Sequence, residues 1–427
     1  MIVVIGAGPA GLALGHGLRA AGRDVTLLER ETEAGGLCRS FTVRRHTFDL
    51  GGHAFFTKHP SVLELVEQLA PEPLHQQPRD AWVYSHEAFV PYPFQSNLFG
   101  LPTDVVRDCL VGAIERWAAP PGTTPRHLAD YLESQFGPGI AEHFLRPYNN
   151  KLWALPLDEI TVGWTGERIV QPDIRAIVAG AIDRVDFRDY PNANVRYPAR
   201  GGFIELYRPL IDSLADRLVH AEVSRLDLSR RQVQTADGGA YDYEHLVATL
   251  PLPDLVARTV QAGPTEQEAA AALAHNSLHL VSLVATTDAP VTMHRVYAAD
   301  PEIPFHKLVL NDTSSPSLAV EGTVGFQAEV SYSPHKPVDV AALLDRVVSA
   351  LVRMGLLRSA SDVLEVDVRH VHYAYPVSTA AGTHALAHLE EFYAAHGVSL
   401  LGRFGQWAYI NSDTAVQRGL QLAEELA

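Results

Sequence analysis

Short apolar runs broken by glycine open this chain, and helical periodicity sets in only afterwards. Ile2 to Ile5 is continuously apolar and predicts a strand buried on both faces. Gly6-Ala7-Gly8-Pro9-Ala10-Gly11 turns it straight into a helical segment from Leu12 to Ala20, and Asp24 to Glu29 predicts a second strand that ends on a carboxylate. Pro60 to Leu69 carries Val62, Leu65, Val66 and Leu69 at helical spacing, and Ala81 to Tyr84 with Ala88 to Val90 predicts a hairpin. The pattern then turns helical over Val105 to Trp117, Pro125 to Phe136 and Ile140 to Trp153. A Pro- and Gly-rich break at Ala118 to Thr124 divides the first two, and the run extends to about Asp189. Ile204 to Leu218 is amphipathic, and Val219 to Leu250 is strand-rich around the turn Asp237-Gly238-Gly239. Alternation over Ser277 to Thr287, Arg295 to Ala298, Phe305 to Leu310, Val324 to Tyr332 and Val366 to Tyr375 predicts an antiparallel sheet, with Val338 to Leu357 as a helix. Val398 to Leu401 and a helix from about Asp413 repeat the strand–loop–helix order of the opening.

At 427 residues the chain exceeds what one core organises. The pattern predicts an α/β fold in three parts. These are a discontinuous Rossmann-like dinucleotide domain (1–80, 200–260 and 398–427), a helical insert (100–190), and an antiparallel sheet domain (81–99 and 275–397).

The opening carries the first chemistry. In a strand–turn–helix, Gly6 makes the tight turn, Gly8 lets backbone approach a pyrophosphate, and Gly11 lets helix pack on strand. The helix N-terminus favours the phosphates, and Glu29 is placed to accept from a ribose diol. The continuation Gly35-Gly36-Leu37-Cys38-Arg39-Ser40 resembles the second glycine pair of amine-oxidase-type flavoproteins, which favours FAD over NAD. Phe48-Asp49-Leu50-Gly51-Gly52-His53 interrupts an apolar pattern with two glycines, as backbone does beside a flat ligand.

Composition narrows the partners. The formal charge of −16 excludes nucleic acid and anionic membrane surfaces, so an anionic substrate requires a local cluster of Arg or Lys. No apolar run reaches the ~18 residues of a membrane span, and no charged leader opens the sequence, so a cytoplasmic protein is expected. Cys38 and Cys109 offer neither a disulfide framework nor metal-ligand spacing. His384, His388 and Glu391 share a helix without a glutamate in the HExxH place, and His370 and His372 alternate on a strand; no metal is predicted.

Further stretches carry a whole-chain resemblance: Asp49 to His53, Val90-Pro91-Tyr92-Pro93-Phe94-Gln95, Arg146 to Ala154, Gly166-Glu167-Arg168, Pro198 to Gly202, and Gly402-Arg403-Phe404-Gly405-Gln406-Trp407-Ala408-Tyr409. In order and spacing the chain resembles the UDP-galactopyranose mutases, closer to the eukaryotic type. The resemblance implies an FAD enzyme active as FADH−, in which flavin N5 attacks the anomeric carbon of a nucleotide-linked sugar. The diphosphate leaves, the sugar opens to an iminium and recloses as a furanose, with no net redox change. By position it implies a flavin-side role for His53 and diphosphate roles for Arg168, Tyr375 and Tyr409. Tyr92, Gln95, Asn149, Trp153 and Tyr197 fall on the substrate side, and Arg39, Gly52, Arg403, Asn411 and Asp413 on the cofactor. The second diphosphate arginine of the family falls at Lys307, which keeps the charge without the planar fork, and the stretch Lys307 to Gly325 is shorter than in the eukaryotic type. The base is therefore open among UDP, GDP and dTDP, and the sugar between galactose and a fucose type. A homo-oligomer is allowed. The alternative is a net oxidoreductase of the amine oxidase or desaturase type.

Overall fold

The computed structural model describes residues 1–120, 124–165, 168–185, 192–287 and 291–427. Gly166, Glu167, the end of the helical run towards Asp189 and the centre of the Ala118 to Thr124 break lie outside the described residues.

Five parallel strands form one sheet in the order Val398–Leu400, His245–Ala248, Ile2–Ile5, Val25–Glu29, Leu218–His220. Its strands come from the two ends and the middle of the chain, so the sheet closes only when the whole chain has folded. Ile2–Ile5 lies at its centre and is buried throughout, because helices cover both faces. Helix Pro9–Ala20 begins earlier than the apolar pattern suggests, since proline in the first turn loses no needed N–H. It packs on the terminal helix Ser412–Leu426 so closely that a Cβ on Gly419 would lie 2.5 Å from the Ala10 carbonyl oxygen. On the other face, helix Ala380–Ala395 brings Ala385, Leu389 and Tyr393 against Val3, Ile5 and Leu246. The sequence grouped this helix with the antiparallel sheet, but its apolar face packs on the parallel one.

The second sheet has seven strands, in the order Val363–Pro376, His275–Thr286, Thr323–Tyr332, Lys307–Val309, Arg295–Ala298, Ala81–Ser85, Ala88–Pro91. Its neighbours are antiparallel except Arg295–Ala298 against Ala81–Ser85, so the sheet is mixed where the sequence predicts an antiparallel one. A parallel pair needs a long crossover, which the helical insert and much of the dinucleotide portion supply.

The insert is built from Thr103–Ala118, Leu128–Phe136, Ile174–Ile182 and a helical stretch from Pro138 to Trp153 that widens to a π turn over Ala141–Leu145. Lys151 anchors that stretch to the second sheet, donating to the carbonyls of Ala298 (3.2 Å) and Asp300; burial pushes its amine down to about 7. The amphipathic stretch from Ile204 breaks into a short turn at Phe203–Leu206 and helix Arg208–Ser213, leaving Leu218 for the sheet edge. Among the described residues no helix is long and apolar enough to cross a membrane.

Strand-to-helix closure depends on Gly11, where a Cβ would stand 2.1 Å from the Gly6 carbonyl oxygen. Gly11→Ala should lower unfolding stability by about 1–3 kcal/mol, read as a shifted urea midpoint at constant slope; an unmoved midpoint contradicts this packing.

Candidate active site

The first glycine loop and the second meet. Gly35 N–H donates to the Ala7 carbonyl at 2.8 Å, and a Cβ on Gly36, at φ +55°, would lie 3.1 Å from Gly8 Cα. No side chain fits between them, which leaves bare backbone N–H groups at the N-terminus of helix Pro9–Ala20, as a pyrophosphate requires. Gly6, at φ +99°, lies against Thr249 across the turn. Glu29 is buried at the end of its strand, accepting from Ala7 N at 2.8 Å and Glu31 N at 3.0 Å; each oxygen keeps acceptor capacity for a ribose hydroxyl. Arg39 folds over this edge, bonded to the Gly36 carbonyl and Glu31.

The loop Asp49 to His53 continues from this cradle. The buried Asp49 carboxylate accepts from Ser40 Oγ (2.6 Å), Tyr197 Oη (2.7 Å) and Phe203 N (2.9 Å). Tyr197 therefore lies beneath the loop, and the structure does not bring it to the other substrate-side candidates. Gly52 N donates to Glu329 Oε1 at 2.6 Å, and Arg295 donates to the His53 carbonyl at 2.5 Å. The His53 ring stacks on Phe203 at 4.7 Å, and its buried Nδ1 has no hydrogen-bond partner among the described residues. Burial, aided by Lys307 and Arg403, pushes this imidazole down to about 3, so it is neutral at pH 7. A buried, unpartnered ring nitrogen beside two glycines fits a polar heteroaromatic ligand such as the flavin ring. Arg403 points the same way, held by the carbonyls of Ile410 and Ala374. Asp413 is buried in the first turn of the last helix, with Oδ1 unpartnered among the described residues.

The three parts of the chain also bring together a cluster of aromatic rings. The Arg168 guanidinium stands 4.3 Å from the Tyr409 ring centroid, donating to Asn411 Oδ1 at 2.9 Å and the Tyr409 carbonyl at 2.7 Å. Tyr409 meets Trp153 at 5.1 Å and Tyr375 at 5.6 Å. Tyr297 meets Tyr92 at 5.2 Å and Tyr148 at 5.8 Å, and its hydroxyl is bonded by Arg79. Burial raises the phenols of Tyr148 and Tyr375 well above their ordinary value, so both remain proton donors. Two candidates have their amides occupied by the protein itself. Gln95 Nε2 donates to the Val170 carbonyl at 2.6 Å, and Asn149 bridges Leu145 O and Trp153 Nε1 on its own helix. Lys307 faces Glu329 at 2.8 Å.

Sequence reasoning missed Arg79, Arg295, Tyr297 and Glu329. The available signal was polar alternation on strands otherwise apolar: Arg295 and Tyr297 alternate with the fully buried Val296 and Ala298. The histidines outside the site are occupied elsewhere, with His384 on the Ala380 carbonyl, His388 on Glu266 and His370 on His279. No group of three or more His, Cys, Asp or Glu among the described residues could hold a metal.

The chain belongs to the Flavin containing amine oxidoreductase family, whose sequence pattern matches residues 9–423. FAD is the cofactor of this fold, and the bare glycine cradle and the unpartnered His53 fit it. Within that class the chain is similar in shape to the crystal structure of reduced UDP-galactopyranose mutase: TM-score 0.93 at 27% identity, covering 100% of this chain and 95% of that one. Among curated relatives, the UDP-galactopyranose mutase of Mycoplasma pneumoniae is 22% identical over 439 residues, covering 99% of this chain and 95% of the relative. Coproporphyrinogen III oxidase of Mycobacterium tuberculosis is 26% identical over 301 residues, 66% of this chain and 65% of the relative's length.

Burial of neutral histidines predicts the pH dependence of stability. His53 at about 3 and His294 at about 4 take up protons only when unfolded over the range from about 6.5 down to about 4. The unfolded state then binds more protons, so stability of the flavin-free protein falls as pH drops through that window. Urea unfolding at pH 7, 6 and 5 should show this, with a shallower slope in His53→Gln; a flat profile contradicts the neutral, buried histidines.

Proposed function

We propose that the protein is a flavin-dependent mutase that interconverts the pyranose and furanose forms of a nucleotide-diphosphate sugar. The observation that carries the reading is Arg168, poised over Tyr409 beside a cluster of aromatic rings that includes Tyr92, Tyr148, Trp153, Tyr297 and Tyr375. A cation among phenols and indoles suits a diphosphate joined to a base and a sugar; an apolar polyene tunnel has no use for it. The likeness along the whole chain to a reduced UDP-galactopyranose mutase supports the same reading.

When bound, reduced FAD supplies the nucleophile. The protein supplies the rest. Arg168 is fixed by Asn411 and the Tyr409 carbonyl, so its remaining N–H groups are oriented for phosphate oxygens before substrate arrives. The Tyr375 hydroxyl stays protonated at neutral pH and can donate to the departing diphosphate. Neutral His53 adds no charge beside the sugar, and the buried aromatic walls keep water from it. Buried, free Cys38 and Cys109 suit a cytoplasmic enzyme. The nucleotide is UDP, GDP or dTDP and the sugar of galactose or fucose type.

Incubation with dithionite and a panel of UDP-, GDP- and dTDP-linked pyranoses should give a furanose product, resolved by chromatography and NMR. Arg168→Ala should lose on the order of 10²- to 10³-fold in kcat/KM. No furanose from any donor, together with steady oxygen uptake on an amine or polyene, would replace this reading with an oxidase.

A further inference from the structure

The sequence resemblance places Lys307 where a diphosphate-binding arginine is expected, yet in the structure its ammonium is already engaged. Nζ lies 2.8 Å from Glu329 Oε1, and Glu329 is wholly inaccessible to water. The same oxygen accepts Gly52 N–H at 2.6 Å. The register explains this convergence. Tyr297, Lys307 and Glu329 are direct partners on three consecutive strands, so their side chains form one row on the face that meets the dinucleotide portion. In the next row on that face, Gln327 Nε2 donates to the Asp49 carbonyl at 2.9 Å, and Arg295 holds the His53 carbonyl. The loop lies flat on these rows: a Cβ on Gly52 would stand 2.4 Å from Val309 Cγ2 and 3.3 Å from Glu329 Oε1.

We infer that Lys307 and Glu329 are a positioning pair for the loop that carries His53 against the flavin, and that Lys307 is not a ligand of the substrate diphosphate. The energetic argument is direct. A buried carboxylate without its counter-charge costs several kcal/mol, and no other cation stands within ion-pair distance of Glu329 Oε1 among the described residues. Turning Lys307 towards a diphosphate would strip Glu329 of that charge. Burial works to raise the Glu329 carboxyl; the Lys307 ammonium is the chief charge that overcomes it and holds the group ionised well below the ordinary carboxylate range. His306 Nε2 lies 3.4 Å from Glu329 Oε2, outside good hydrogen-bond geometry, so its neutral ring does not replace the lysine. Tyr297, Arg295 and Tyr375 from the sheet, and His53 from the loop, also face the pair electrostatically.

The inference rests on the flavoprotein reading for what the loop supports, and its test separates the two. The flavin midpoint potential and the affinity for UDP, GDP and dTDP are measured without turnover in wild type, Lys307→Met, Glu329→Gln, the double variant and Lys307→Arg. Lys307→Met leaves a net negative charge beside the flavin and should lower the potential; Glu329→Gln leaves a net positive one and should raise it. The double variant should return towards wild type, and Lys307→Arg should stay near it. Diphosphate affinity in Lys307→Met should change less than twofold, while kcat falls on the order of 10²-fold as the loop loosens. Nucleoside diphosphate affinity weakened tenfold or more in Lys307→Met, or potentials that do not move in opposite directions, overturns the inference. If Glu329→Gln fails to fold, Lys307→Met and the double variant still decide it. Absence of mutase turnover in wild type would count against the function proposed above and leave the potentials as an independent test of the pair.

Discussion

Glu329 is fully buried on the face of the seven-stranded sheet that meets the dinucleotide cradle, and its charge is balanced there by Lys307 and by Gly52 N–H. Much of the architecture follows from satisfying that one carboxylate. It pins Gly52, and Gly52 pins a loop whose first residue, Asp49, gathers Ser40, Tyr197 and the backbone of Phe203. The Phe203 ring then carries His53. A single row of cross-strand partners thereby sets where one sheet sits against the portion of the chain that holds the nucleotide.

The two sheets divide the work according to their physics. The parallel sheet is covered on both faces and has only its strand ends to offer a ligand, where backbone N–H groups and the terminal carboxylate of Glu29 lie. The mixed sheet has one face packed by helix Val340–Arg353 and another turned inward, where polar side chains such as Lys307, Glu329 and Gln327 are held by one another and by the loop backbone. The helical insert supplies the flat walls, with Lys151 holding it to the strand that bears Tyr297. Arg168 and Tyr409 come from distant parts of the sequence, which makes their pairing a property of the complete fold.

How much of this the sequence shows depends on the range of the interaction. The strands Ile2–Ile5 and Arg295–Ala298 and the helix Pro60–Leu69 are legible because apolar periodicity is local. The glycine cradle is legible for the same reason: Gly6, Gly8 and Gly11 lie close together in the chain. Helices Leu252–Arg258 and Pro264–Ala271 are not, since both are short and the second is an Ala- and Glu-rich segment with little apolar stripe. Glu329 and Tyr297 escape notice because a strand's partner and register are absent from its own residues. Gln95 and Asn149 show the converse: a motif marks them, but only the folded chain shows their amides bonded to backbone and to Trp153.

The mutase reading proposed above requires chemistry in which the cofactor gains and loses no electrons overall. The most direct measurement of that claim is the ratio of oxygen consumed to nucleotide sugar converted, followed together in one reaction with substoichiometric reductant. Many turnovers per reductant added, with no oxygen uptake in step with product, are expected. One oxygen consumed for each product formed would contradict it.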